Sequence, residues 1–221
     1  LHDLKGPMTI ISGYSQLMAQ AADPEKRVEM ADSIRRQVEV FNDMAKEVLS
    51  FARGERQVLF RKVFVDRFVT TVTESLRPEF EERGIAFIVD NQCKKAGYFD
   101  EAKMLRVVTN IARNARQAMG TKGTFSWRMK HDVEDALVFE LEDDGPGIPE
   151  VIRANLFDAF TTSGKAEGTG LGLAIVRRIV EDHGGSVAFT TETDVGTCFT
   201  IRLPGQNNEN HPSLNIIEDG Q

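Results

Sequence analysis

Cysteine is almost missing from this chain. Its 221 residues hold two, Cys93 and Cys198. They are too few and too isolated for a disulfide framework or a zinc site. A reducing compartment, the cytoplasm, is therefore expected. Also missing is any apolar run near the ~20 residues of a membrane-spanning helix. The chain shows no initiator Met and no basic-apolar leader. It opens at Leu1-His2-Asp3-Leu4-Lys5-Gly6-Pro7 as though already inside an element, so a piece of a longer protein is expected. Positive charge is not in excess, with 27 Lys and Arg against 34 Asp and Glu and a net charge of −7. General nucleic-acid binding needs a basic surface to displace counterions, so no nucleic-acid partner is expected. No internal repeat or low-complexity segment is present. What is present is globular: 41% apolar and 28% charged residues, enough chain for one large domain or two smaller ones.

Apolar residues Leu4, Met8, Ile11, Leu17 and Met18 give residues 1–22 a helical spacing. Asp23-Pro24 breaks it and suits a new helix start, Asp as cap and Pro as first residue. From there Ala31, Ile34, Val38, Phe41, Ala45, Val48 and Ala52 alternate steps of three and four up to Arg53-Gly54. That seam predicts a helix needing a helical partner, met by dimerisation into a four-helix bundle. Residues 58–65 and 85–90 read as strands around a helix over 66–83. Residues 100–119 read as a helix, and 124–130 with 136–142 as a hairpin. A Gly-rich stretch runs from Gly145 to Gly172. A helix follows to His183, stopped by Gly184-Gly185, and strands near 186–191 and 197–203 close the pattern. The mixture predicts an α+β chain: a helical hairpin over 1–54, then a two-layer α/β sandwich over 55–204 with one sheet and helices on one face. A polar tail occupies 205–221.

Three segments carry chemistry. Asn110, Asn114 and Gln117 share one face of the 100–119 helix, opposite an apolar stripe of Met104, Leu105, Val108, Ile111, Ala112 and Ala115. Asn is a mediocre helix former, so two on one face suit either a solvated face or an amide pair facing a ligand or metal. Asp143-Asp144-Gly145-Pro146-Gly147-Ile148 carries a strand into a tight turn with an acid at its end, where glycine lets backbone approach a ligand. Gly164-Lys165-Ala166-Glu167-Gly168-Thr169-Gly170-Leu171-Gly172 precedes a helix, and backbone N–H groups at such a start attract anions. It matches neither a Walker loop nor a dinucleotide turn. The preceding run Phe157-Asp158-Ala159-Phe160-Thr161-Thr162-Ser163 suits a lid over phosphates.

Together, in this order and with the His2 segment ahead of them, these segments resemble the H, N, G1, F and G2 boxes of the sensor histidine kinases of two-component signalling. The matches are His2–Pro7, Asn110–Ala115, Asp143–Ile148, Phe157–Phe160 and Gly168–Leu173, and the likeness spans roughly residues 1–204. The run from Asn110 to Ala118 looks most like the nitrogen-regulator type. The resemblance implies a Bergerat-type ATP pocket and autophosphorylation of His2. It also implies transfer of the phosphoryl group to an Asp of a response-regulator receiver domain, and a homodimer.

The resemblance also assigns roles. His2 would attack the γ-phosphate of ATP, with Asp3 orienting the ring. Lys5, on a similar helical face, would counter phosphate charge, and Pro7 would kink the helix beside the His. Asp143 would accept from the adenine amine. Asn114 would ligate Mg²⁺ with Asn110 as helper or second ligand. Gly145, Gly147, Gly168, Gly170 and Gly172 would let backbone close on the nucleotide, with Ile148, Phe160, Thr162, Thr169 and Leu171 as neighbouring pocket residues. Lys165 and Arg113 either reach the terminal phosphates or stay solvated charges. Many members carry Thr or Asn four residues after the His, thought to position water for dephosphorylation. Here that residue is Gly6, which predicts weak or absent phosphatase activity.

Two alternatives stay open: a Bergerat-type ATPase, against which Asn110 stands where a catalytic Glu is usual, and a nucleotide-binding pseudokinase scaffold. Among the other ionisable residues, His183 is expected to cap or pack at a helix end, His131 to fall in a turn, and Trp127 to lie in the core.

Overall fold

The structure, a computed structural model, describes residues 5–21, 23–53, 58–159, 161 and 170–205. The chain divides into two compact units. One holds the chain through Glu55 together with residues 158–171; the other holds Arg56–Phe157 and the chain from Gly172 onward.

The first unit contains α1 (Lys5–Gln20) and α2 (Pro24–Arg53), packed along each other as a hairpin. Asp23 starts α2 as its sequence predicts: its Oδ1 accepts the Glu25 N–H at 3.0 Å, and Pro24 is the first helical residue. None of the described side chains on the two helices is buried. Met8, Leu17 and Val28 are each more than half exposed. Of the predicted seam, Ala31 and Val38 are exposed and Ile34 and Phe41 half-buried; the later positions lie outside the described side chains.

The second unit runs β1 (Arg61–Val63), α3 (Val65–Glu81), β2 (Ile85–Asn91), β3 (Gly97–Phe99), α4 (Glu101–Met119), β4 (Gly123–His131), β5 (Leu137–Asp143), α5 (Glu150–Arg153), α6 (Gly172–Asp182), β6 (Ser186–Glu192) and β7 (Gly196–Leu203). Five strands form a sheet in the order β2-β4-β5-β7-β6. The β2–β4 pair is parallel and the other pairs are antiparallel. Every second residue of β4 and β5 turns inward: Phe125, Trp127 and Met129 in one, Phe139 and Leu141 in the other, each 1% exposed or less. α3, α4 and α6 cover that face. The opposite face is polar, with Arg128 and Lys130 paired to Glu140. One dry face and one wet face make two layers.

Aromatic side chains fill the space between helices and sheet. Phe68 on α3 meets Phe99 and Trp127 edge-on at 5.2 and 6.0 Å, and Phe80 meets Phe87 at 5.0 Å. Each fully buried ring contributes about 1.5–3 kcal/mol relative to an exposed one.

Two details depart from the sequence expectation. The strand over 58–65 shrinks to 61–63, because Val65 is the first buried residue of the α3 stripe Val65, Phe68, Val72, Leu76, Phe80. It pairs with β3, a three-residue strand that the sequence reading missed, so a two-stranded ribbon exists beside the main sheet. His131 ends β4 rather than occupying a turn.

His183 packs as expected. Its ring is 1% exposed, with Nε2 accepting the Asp100 N–H at 3.0 Å and Nδ1 lying 2.7 Å from the Ile179 oxygen. An amide only donates, so Nδ1 carries the proton. Asp100 caps α4 through the Lys103 N–H and also accepts from Leu59. The end of α6 is thereby tied to the start of α4.

Candidate active site

Asn110 and Asn114 lie one turn apart on α4, with α6 starting beside them. Asn110 Nδ2 donates to the Gly172 oxygen at 3.2 Å. A Cβ on Gly172 would stand 3.8 Å from Asn110 Cγ and 3.9 Å from Asn114 Nδ2. The bond to Gly172 fixes the Asn110 amide. Two amides thus border a helix start, whose leading N–H groups have no intrahelical partner.

The carboxylate stands at the end of β5. Asp143 is 7% exposed. Its Oδ1 accepts the Gly145 N–H at 3.0 Å, and the Thr197 N–H bonds the same carboxyl. Burial is the strongest influence and pushes the Asp143 carboxyl above the usual carboxylate range; the two N–H bonds oppose it. Such a group gains from a ligand that donates to it.

The turn after Asp143 is held from outside. Gly147 has φ +75°, and a Cβ there would reach 2.5 Å from the Glu192 oxygen. Only glycine fits that closeness and that backbone. The Ile148 N–H bonds Thr191 Oγ1 at 2.9 Å. A Cβ on Gly196 would collide with the Asp143 carbonyl, so the β6–β7 hairpin lies flush against the acid.

α4 joins the two clusters. A Cβ on Gly145 would stand 3.2 Å from Met119 Cγ, at the end of the helix that carries the amides. Asn114 precedes Met119 by five residues, a rise of about 8 Å along α4. Carboxylate, glycine turn and amides therefore sit within the span of one nucleotide.

Other predicted residues stand apart. Arg113 bonds Glu79 on α3, Nη2 to Oε1 at 2.7 Å and Nε to Oε2 at 3.3 Å. Gly170 has φ +64° and Leu171 is buried. His2, Asp3, Phe160, Thr162, Lys165, Gly168 and Thr169 lie outside the described residues, as does the tail from 206.

Thr191, Gly196 and Thr197 escaped the sequence reading. Their signal was faint, since Thr is an ordinary strand residue. A cavity of about 180 Å³ also exists beside Tyr98, His131 and Asp135. It sits at the Leu137 end of β5, about 20 Å along the strand from Asp143. Its Lys95 is already paired with Asp135, and it lacks the acid, amides and helix start.

No described helix is long and apolar enough to cross a membrane, and no described cluster of three His, Cys, Asp or Glu residues is suited to a metal. The amides supply neutral oxygens. They suit a hard cation only when phosphates bring the charge.

An acid beneath a glycine turn, amides on a central helix and a second helix start beside them lie together in the α/β unit. Residues 99–207 match the family described as histidine kinase-, DNA gyrase B-, and HSP90-like ATPase, and residues 1–57 the His Kinase A phospho-acceptor domain. Sensor histidine kinase ZraS of Salmonella typhimurium is 30% identical over 207 residues, 92% of this chain and 44% of that protein. Sensory histidine kinase/phosphatase NtrB of Azospirillum brasilense is 32% identical over 225 residues, 92% of this chain and 53% of that protein. The histidine kinase ThkA, solved in complex with response regulator protein TrrA, superposes with a TM-score of 0.77 at 23% identity, covering 92% of this chain and 59% of that one. The chain spans about half the length of these relatives. It belongs to the sensor histidine kinases of two-component systems.

Proposed function

We propose that this chain is the kinase portion of an ATP-dependent protein histidine kinase that phosphorylates His2 and passes the phosphoryl group to an Asp of a response-regulator receiver domain. The observation that carries this reading is the spacing along α4: a buried acceptor, Asp143, at one end and the Asn110–Gly172–Asn114 cluster farther along.

Asp143 accepts from the adenine amine. The glycine turn brings backbone against the base. The amides and the start of α6 face the phosphates. Asn114 and Asn110 would hold Mg²⁺ through their amide oxygens, and the ion would supply charge neutralisation at the phosphates. A neutral ring nitrogen of His2 forms the P–N bond as the bond to the ADP oxygen breaks, with Asp3 orienting the ring. Positioning and electrostatics provide the acceleration. Asn110 is no general base, so water is not activated there, which disfavours the plain ATPase.

The hairpin over 1–54 serves as dimerisation and phosphotransfer unit, its exposed apolar face covered by a second copy. Gly6 offers no side chain to hold a water, so dephosphorylation of the partner is weak, and Gly6→Thr raises it.

The test is incubation with γ-labelled ATP and Mg²⁺. An acid-labile label on the protein, lost in His2→Gln, is expected. Free phosphate without labelled protein would favour the ATPase reading. Bound ATP with neither product would favour a scaffold.

A further inference from the structure

Asp143, Thr197 and Thr191 are successive cross-strand partners on β5, β7 and β6. Paired residues share a face, so these three form a polar row on the helix-covered side. The row continues the apolar partners Phe87 and Phe125 of β2 and β4. Polar groups on a covered face call for a reason.

The Thr191 hydroxyl makes three contacts: Ile148 N–H at 2.9 Å, the Gly196 oxygen at 3.1 Å and Thr197 Oγ1 at 3.0 Å. An N–H only donates and a carbonyl only accepts. A hydroxyl has one proton and two acceptor positions. One arrangement satisfies all three contacts: Thr191 gives its proton to Gly196, accepts from Ile148, and accepts from Thr197. The Thr197 proton is thereby committed. What Thr197 can still offer, at 5% exposure, is acceptor capacity beside the Asp143 carboxylate.

We propose that Thr191 is a positioning residue that sets the nucleotide-base preference of the site. With the Gly145 and Thr197 N–H groups already bonded to Asp143, holding the Thr197 proton leaves the wall around Asp143 only acceptors to offer a base. Such a wall takes a base that presents an amine, as adenine does, and rejects one that presents a carbonyl there, as guanine does. The same hydroxyl anchors the Gly145–Ile148 turn through Ile148. This inference rests on the ATP reading of the site.

The experiment is calorimetric titration of the full chain with ATP and with GTP, for wild type, Thr191→Val and Thr191→Ser. Val keeps the shape and removes the hydroxyl, which frees the Thr197 proton to meet a carbonyl. ATP affinity is expected to fall roughly tenfold in Thr191→Val while GTP affinity holds or rises, so the ATP-to-GTP ratio drops by at least that factor. Thr191→Ser keeps the ratio near wild type. An unchanged ratio in Thr191→Val, including an equal loss for both nucleotides, overturns the proposal and leaves Thr191 a structural anchor. Should Thr191→Val fail to fold, Thr191→Ala, which also removes the hydroxyl and frees the Thr197 proton, is expected to lower the ratio; no drop there overturns it equally. A wild-type chain that binds neither nucleotide refutes the ATP reading itself, a result distinct from the others.

Discussion

The two units of this chain solve the burial problem in opposite ways. The α/β unit hides Phe68, Phe80, Trp127 and Phe139 almost completely. On the hairpin helices no described side chain is buried. The α/β unit buries its apolar side chains within itself, whereas the hairpin leaves its described apolar side chains partly or fully exposed. Where burial is complete, polar residues such as Asp143 and Thr197 are few and each has a task. Where burial is absent, the pattern of apolar residues itself is the message.

Several substitutions sharpen or break that contrast. The largest effect on ligand binding is expected for Asp143→Asn, with nucleotide affinity falling about a hundredfold or more by calorimetry, because an amide that presents N–H to the base amine leaves both donors unpaired. Its thermal unfolding should hold or improve, since an ionised buried carboxylate is a cost at neutral pH that the amide lacks. Phe80→Ala should cost about 3–5 kcal/mol in denaturant unfolding of the α/β unit and leave hairpin association alone. Val38→Glu should do the reverse: dimer affinity by sedimentation drops about tenfold or more, as a charge enters the seam, while α/β unfolding is unchanged. Loss of nucleotide binding in Val38→Glu, or of dimerisation in Phe80→Ala under folding conditions, would break the division.

The smallest effect concerns pH. Burial holds the His183 ring below its ordinary pKa. The folded state keeps it neutral, while the unfolded chain takes up a proton below about pH 6.5. Its contribution is therefore complete above that value and declines as the pH falls through it toward the depressed folded pKa. The slope is up to about 1.4 kcal/mol per pH unit. Unfolding titrations of the wild type against His183→Gln check this, and parallel curves between pH 5 and 6.5 would contradict it.

Long, strongly periodic elements were legible in the sequence. α4 and α6 declare themselves by apolar spacing, and the β4–β5 hairpin by alternation. The acid and the amides stand out because polar residues interrupt those patterns. Short β1 and β3 were hidden, since three residues display no period and Val63 and Val65 fit a strand and a helix equally well. The Thr191–Thr197 row was hidden for another reason: threonine suits any strand, and only the register of three strands aligns those hydroxyls with Asp143. The Arg113 partner was hidden as well, because Glu79 lies 34 residues away in the chain.

A crystal structure with Mg²⁺ and a non-hydrolysable ATP analogue would show whether the base rests on Asp143 and the phosphates on the Asn110–Asn114 face. The adenine amine is expected within hydrogen-bond reach of the Asp143 carboxylate, with the phosphates against Asn114 and the start of α6. An adenine lodged elsewhere, as in the cavity beside Tyr98 and His131, would contradict it.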